Sequence, residues 1–212
     1  MNDVPIYHVT FLRHGESVGN VENRHQGHAD FPLTEKGRAQ AHTLAERWQA
    51  EGVIFDQVIS SPLLRARQTA EIVCTALGVP LEFDADLMEV NNGLLAGLNN
   101  EEAADVLMSP ESMTAYTHFG KTGESRWELY LRAGKVIQKL VDAPPGKTLV
   151  VAHGGILNTI MYAILGIPIQ PGYTGARFMF HNTTFTTFTY DPVRHYWRLL
   201  HFDNRSHLKD QE

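Results

Sequence analysis

The sequence predicts an α/β fold: a three-layer α/β/α sandwich with a mainly parallel central sheet and a small helical and loop cap. Three observations lead there. Short apolar runs of strand length alternate with longer helix-period segments, the pattern of right-handed βαβ units whose sheet is covered on both faces. Gly and Pro punctuate the junctions between them. Arg and His residues fall just past the ends of several apolar runs, on the rim where open parallel sheets keep their sites. With 212 residues the chain can bury one substantial core, so residues 1–212 are read as a single domain.

Ile6 to Leu12 is a short, mostly apolar strand. Gly15 through Pro32 is polar and glycine-punctuated, a loop or short helix entered from that strand. Thr34 is a candidate cap for a helix running to about Glu51, with Ala39, Leu44, Ala45 and Trp48 facing inward. Val58 to Ser60 forms a second strand, and Pro62 fits the first turn of a helix running to Leu77. Leu81 to Phe83 is a third strand. The stretch from about 91 to 122 mixes a helix near Glu101 to Met108 with polar segments and reads as a cap inserted over a site.

A long helix runs from about Glu124 to Val141, ended by Pro144-Pro145-Gly146. Thr148 to Ala152 is a strongly apolar strand leading into His153-Gly154-Gly155 and a helix to about Leu165. The tail changes period: Arg177 to Phe180, Thr183 to Tyr190 and Trp197 to Phe202 alternate like strands. These last strands either close a sheet edge or pair with another subunit, so a homodimer is one of two expectations.

Composition narrows the function. A formal charge of −6 argues against nucleic acid or an anionic membrane as the main partner. An anionic substrate then needs a local cluster of basic groups. The single cysteine, Cys74, excludes an internal disulfide and reads as a buried small hydrophobe. No apolar run approaches the roughly 18 to 20 residues that span a membrane, and the N-terminus lacks a basic leader. The expected location is the cytoplasm.

The most informative run is Leu12-Arg13-His14-Gly15-Glu16-Ser17, which sets a fixed cation beside an imidazole at a strand end. An arginine fork suits a phosphate through parallel charge-assisted hydrogen bonds, and a neutral imidazole nitrogen can attack phosphorus to give a covalent intermediate. Arg65, after the second strand, and His153, after the apolar strand 148–152, fall on the same predicted rim. Gly154 and Gly155 allow close backbone approach at a helix start, where an anion is welcome. Arg67 reads as a solvated helix residue. His25 and His28 flank Gln26-Gly27 without a third ligand at close spacing, so no metal is expected.

Four segments fit together: Arg13-His14-Gly15-Glu16, Ser60 to Ala70, Glu89 in Leu87-Met88-Glu89, and Val151-Ala152-His153-Gly154-Gly155. With Asn20, Asp30-x-x-Leu33-Thr34-x-x-Gly37 and Gly123-Glu124-Ser125, they resemble the histidine phosphatase superfamily, which includes the cofactor-dependent phosphoglycerate mutases. The resemblance runs from about residue 6 to 165. It implies that His14 is the nucleophile and forms a phosphohistidine, that Arg13 and Arg65 clamp the phosphoryl oxygens with His153 as a further donor and Asn20 beside them, and that Glu89 handles the proton. Gln26, Gly27 and Gly154 are expected at the phosphate or substrate. No metal or other cofactor is implied.

The chain also departs from the mutase pattern. His28 comes after Gly27 where mutases usually carry Trp, and Asn92-Gly93-Leu94-Leu95-Ala96-Gly97 keeps only the glycines of an aromatic-Gly-x-Trp-Glu-Gly stretch. Those departures favour water as acceptor: an acid-type phosphatase hydrolysing a small phosphate ester, with a mildly acidic pH optimum. The alternatives are a mutase and a phospho-ligand-binding protein without catalysis. The 91–122 segment, with Met108, Met113, Tyr116, His118 and Phe119, is expected to set substrate size with Gln26 and His28.

Overall fold

Strands separated by helices pair in parallel when each crossover returns the chain to the same end of the sheet. In the computed structural model, which describes residues 6–169 and 175–208, four strands do so. They are β1 (Tyr7–Arg13), β2 (Gln57–Ser60), β3 (Leu81–Phe83) and β4 (Lys147–Ala152). Two further strands, β5 (Phe185–Asp191) and β6 (Tyr196–Asn204), run antiparallel and complete the order β3-β2-β4-β1-β5-β6. The tail therefore extends the sheet, with β6 as its outer strand.

Both faces are covered. Residues alternate across the sheet along a strand, and β4 shows the result. Leu149 and Val151 pack with Leu44 and Trp48 of α2 (Glu35–Ala50) and Ala70 and Val73 of α3 (Leu64–Leu77). Val150 and Ala152 pack with Val136 and Leu140 of α4 (Arg126–Asp142) and Ile156 and Ile160 of α5 (Gly154–Leu165). Each fully buried side chain of this kind is worth about 1.5–3 kcal/mol, so the central strand is anchored from two sides. Cys74 lies in the α3 layer, and burial, with Glu71 nearby, pushes its thiol up to about 11. Among the described residues no helix is long and apolar enough to cross a membrane.

Caps explain the helix starts. Thr34 accepts from the Gly37 amide at the head of α2, as its sequence position predicts. Ser125 and Glu128 form a reciprocal capping box that starts α4 at Arg126, slightly later than expected. Ser17 and Asn20 form another at α1 (Val18–Val21), the short helix inside the 15–32 loop.

Three expectations are corrected. No helix forms over 101–108: the Asn99 carboxamide oxygen captures the Glu101 and Glu102 amides, and mixed turn bonds succeed it. Only Ala103 of that stretch is buried, too little apolar surface to hold a helix. Residues 177–180 form no strand, because the Phe178 amide donates to the Asn158 side chain and the Phe180 carbonyl accepts from Arg13. Pro62 lies before α3, whose N-cap is Leu63.

Candidate active site

β1, β2 and β4 end side by side, so the residues just past each of these strands meet at one rim. His14 comes directly after β1, and its backbone amide bonds the Ala152 carbonyl at the end of β4 (3.0 Å). His153 comes directly after β4, and the two imidazoles lie 5.1 Å apart between ring centroids. Arg65 stands in the first turn of α3 and is 1% exposed. A cleft of about 210 Å3 is lined by Arg13, His14, Arg24, Gln26, Gly27, Arg65, Glu89, Val90 and Asn92. Six of the nine residues singled out in the sequence line it.

His14 is held in one tautomer. Its Nδ1 lies 2.7 Å from the Gly15 carbonyl, which can only accept, so Nδ1 carries the proton and Nε2 the lone pair. Burial, reinforced by the Arg13 and Arg65 charges, holds its pKa well below the ordinary imidazole value. The ring is thus neutral at neutral pH. His153 is also pushed well below that value, by burial first and then by Arg65.

Both ring nitrogens of His153 are occupied: Arg65 Nε donates to Nδ1 (3.1 Å) and Nε2 faces the Ser61 hydroxyl (2.8 Å). His153 therefore braces Arg65 from behind, and it does not line the cleft. Arg65 also donates to the carbonyls of Gly27 (2.8 Å) and Ala29 (3.0 Å). Gly27 takes φ 47°, and a Cβ there would meet the Asn92 side chain at 3.0 Å, so this contact to Arg65 needs glycine. Burial lowers the Arg65 pKa to about 10, which leaves it charged at neutral pH.

Arg13 is tied at one end by a bond from its guanidinium to the Phe180 carbonyl. Its Nε is buried without a hydrogen-bond partner among the described residues. An unmet buried donor is costly unless a ligand satisfies it. The Glu89 side chain, from the loop after β3, reaches the N-terminus of α5. Its Oε1 accepts from the Val90 (2.9 Å) and Ile156 (3.1 Å) amides and Oε2 from Gly155 (3.0 Å). Gly154, the first residue of α5, sits beside Arg13 outside the cleft.

Asn20 does not line the cleft. Its Oδ1 accepts from Ser17 and from Asn182, so it shapes the loop behind His14. Gln26 does line it, while its Oε1 accepts from the Ser17 hydroxyl (2.8 Å). His28 reaches the Glu89 carbonyl with Nε2 (2.8 Å). Arg67 is exposed and pairs with Glu71 four residues on. Around the loop, the Thr34 hydroxyl donates to the Glu16 carboxylate, the Glu16 amide donates to the Gln40 side-chain oxygen, and Asp30 accepts the Leu64 amide. The motif residues with no chemistry of their own thus hold the loop beyond His14.

Sequence reasoning missed the supports that come from far along the chain. Arg132 of α4 donates to the carbonyls of Asp86, Met88 and Glu89 and pairs with Glu124 at 2.5 Å. Glu124 in turn accepts the Asn91 amide. Gly123, whose Cβ would lie 2.1 Å from the Asn91 carbonyl, lets the backbone at residues 91 and 123 approach closely. On the other side, the Thr183 amide bonds the Arg13 (3.1 Å) and His14 (3.3 Å) carbonyls, and Asn182 donates to His14 (3.0 Å). Asp203 fastens that turn through the His181 amide, the His181 ring and the Thr184 hydroxyl. The Arg seven residues beyond Ser125 of the Gly-Glu-Ser run was the one readable signal for Arg132.

A second cavity, about 310 Å3, shares Arg13 and Val90 with the cleft and opens between α4, α5 and residues 177–180. Of the cap residues expected to shape the ligand space, Phe119 lines this cavity and Met113 is buried, while Met108, Tyr116 and His118 are exposed.

Residues 9–204 match the histidine phosphatase superfamily, branch 1. A probable phosphoglycerate mutase GpmB from Escherichia coli O1:K1 / APEC is 37% identical over 164 residues, 76% of this chain and 75% of that protein. Among solved structures, Bacillus stearothermophilus YhfR is 30% identical with a TM-score of 0.82, covering 96% of this chain and all of that one (100%). The mycobacterial glucosyl-3-phosphoglycerate phosphatase, in its complex with VO3, is 27% identical with a TM-score of 0.78, covering 94% and 100%.

Proposed function

The chain belongs to the histidine phosphatase superfamily, and on that premise we propose that it is a metal-independent phosphomonoesterase that works through a phosphohistidine on His14. The observation that carries this reading is the His14 tautomer: a neutral ring with Nδ1 bonded to the Gly15 carbonyl turns the Nε2 lone pair outward as a nucleophile. Nε2 bonds to phosphorus as the ester P–O bond breaks, and the leaving oxygen takes a proton from the Glu89 carboxyl group. Oε2 of Glu89 carries one amide bond against two on Oε1, so Oε2 is the oxygen assigned that proton.

Water then attacks phosphorus and gives its proton back to Glu89. The N–P bond breaks, inorganic phosphate leaves, and His14 returns neutral. Arg13 and Arg65 meet the charge on the equatorial oxygens through both half-reactions, which is the work a divalent cation does elsewhere. The orphan Nε of Arg13 is the donor that a phosphoryl oxygen would satisfy. His153 acts through Arg65 in the free protein.

Hydrolysis is favoured over transfer because His28, where mutases usually carry Trp, is turned to the Glu89 carbonyl. The similarity to a probable phosphoglycerate mutase keeps phosphoglycerate on the substrate panel, and the solved phosphatases keep phosphorylated sugar acids there. The test is phosphate release from a panel of phosphomonoesters in EDTA, by the protein and by His14→Ala. Release by the first alone, with an acid-labile phosphoenzyme, is the expected outcome. Equal activity of both proteins, or loss of turnover in EDTA, overturns the reading.

A further inference from the structure

The second cavity differs in kind from the phosphoryl cleft it adjoins. Phe119, Tyr130, Tyr162, Phe178 and Phe180 supply its aromatic walls. Tyr162 packs edge-on against Phe178 with centroids 5.8 Å apart, so that wall is preassembled. Its size, about 310 Å3, is at the small end of the range for ligand pockets, enough for one ring system. Arg13 and Val90 line both cavities, so a molecule whose phosphoryl group meets Arg13 in the cleft has its other end directed here. The charged side chains among the described lining residues are arginines, Arg13, Arg126 and Arg177, with no carboxylate.

We propose that this cavity seats the leaving group of the substrate, and that the leaving group is a single aromatic ring system, uncharged or anionic. The proposal rests on the phosphomonoesterase reading for its phosphoryl end. Aromatic walls favour a flat ring by burial and edge-to-face contact, and the arginine-only charge disfavours an ammonium substituent. Small polyols gain nothing from such walls, so they are poor ligands of this half of the site.

The test uses phosphonates, which cannot be hydrolysed, so binding is read apart from chemistry. Calorimetry compares ethylphosphonate, 2-phenylethylphosphonate, and the latter with a para-carboxylate or a para-aminomethyl group. The ring is expected to tighten binding about ten- to hundredfold, with the carboxylate at least equal to the plain ring and the aminomethyl compound weaker than both. Tyr130→Ala and Tyr162→Ala, on half-buried residues of two different helices, are expected each to shrink the ratio of phenylethyl to ethyl affinity.

Equal affinity for the ethyl and phenylethyl compounds, or tightest binding of the aminomethyl compound, overturns the proposal. A ring preference that both tyrosine variants leave intact places the ring elsewhere and also overturns it. Phosphoenzyme formation from 2-phenylethyl phosphate is measured in parallel. Ring-selective binding without any phosphoenzyme would retain the pocket and discard the hydrolase, so the two failures are told apart.

Discussion

The two cavities on either side of Arg13 are built by opposite means. In the cleft nearly every polar group is fixed by the backbone: Gly15 sets His14, Gly27 and Ala29 hold Arg65, and three amides hold Glu89. In the aromatic cavity the walls are side chains from two helices and an irregular segment, held by packing. Preorganised dipoles favour one charge distribution, whereas packed rings accept any flat apolar body of suitable size. On the proposed reading, one half of the site is specified for a reaction and the other for a shape, and the two should be separable by mutation.

The sharpest separation comes from Arg65→Ala. Arg65 lines the cleft and not the aromatic cavity, so kcat/KM should fall by about a hundred- to a thousandfold while the affinity ratio of phenylethyl to ethyl phosphonate is kept. Loss of that ratio would mean the two halves are one. Arg132→Ala attacks the segment that leads into the shared Val90, since it holds the Asp86, Met88 and Glu89 carbonyls and its loss strands the part-buried Glu124. Urea unfolding should register a loss of about 3 kcal/mol, with kcat reduced as Glu89 loses its support. Unchanged stability would show that the pair contributes nothing net.

Asp203→Asn is expected to act more gently, lowering kcat/KM several-fold through the turn that grips His14. Rescue by Asp203→Glu is not expected, because the turn fits the shorter side chain; a fully active Asp203→Asn would remove Asp203 from the positioning set. The smallest effect is on pH. His14 stays neutral below its ordinary value of 6.5, so kcat/KM should not fall as pH drops through that point. Stability should fall there instead. Folded His14 and His153 have lowered pKa values, so below about pH 6.5 the unfolded chain binds protons that the folded one refuses. A thermal midpoint that is flat between about pH 7 and 5 would contradict the burial of neutral rings.

What the sequence made legible is the parallel half. Arg13, His14 and Arg65 converge because each lies at or past the end of a strand whose place is set by apolar periodicity, and that period survives any detail of packing. The cap and the tail were less readable. Residues 101–108 have helical spacing, yet one Asn side chain diverts their first amides. Residues 177–180 have strand alternation, yet a side chain of α5 takes an amide and Arg13 takes a carbonyl. Arg132, Asn182 and Asp203 act across long separations, where no local pattern announces a partner. His153 was placed at the right rim, but its two hydrogen bonds turn it towards Arg65 and Ser61, an orientation set by tertiary neighbours.

On the proposed reaction, the bond from His14 to the Gly15 carbonyl would also decide which isomer of the modified protein forms. With Nδ1 engaged 2.7 Å from an oxygen, phosphorus has access to Nε2 alone, so trapped protein should carry the tele isomer of phosphohistidine and none of the pros isomer. The two isomers differ in 31P chemical shift and in their resistance to acid. A quenched sample should therefore show one phosphoramidate resonance, and its chemical identity is fixed by a single main-chain carbonyl.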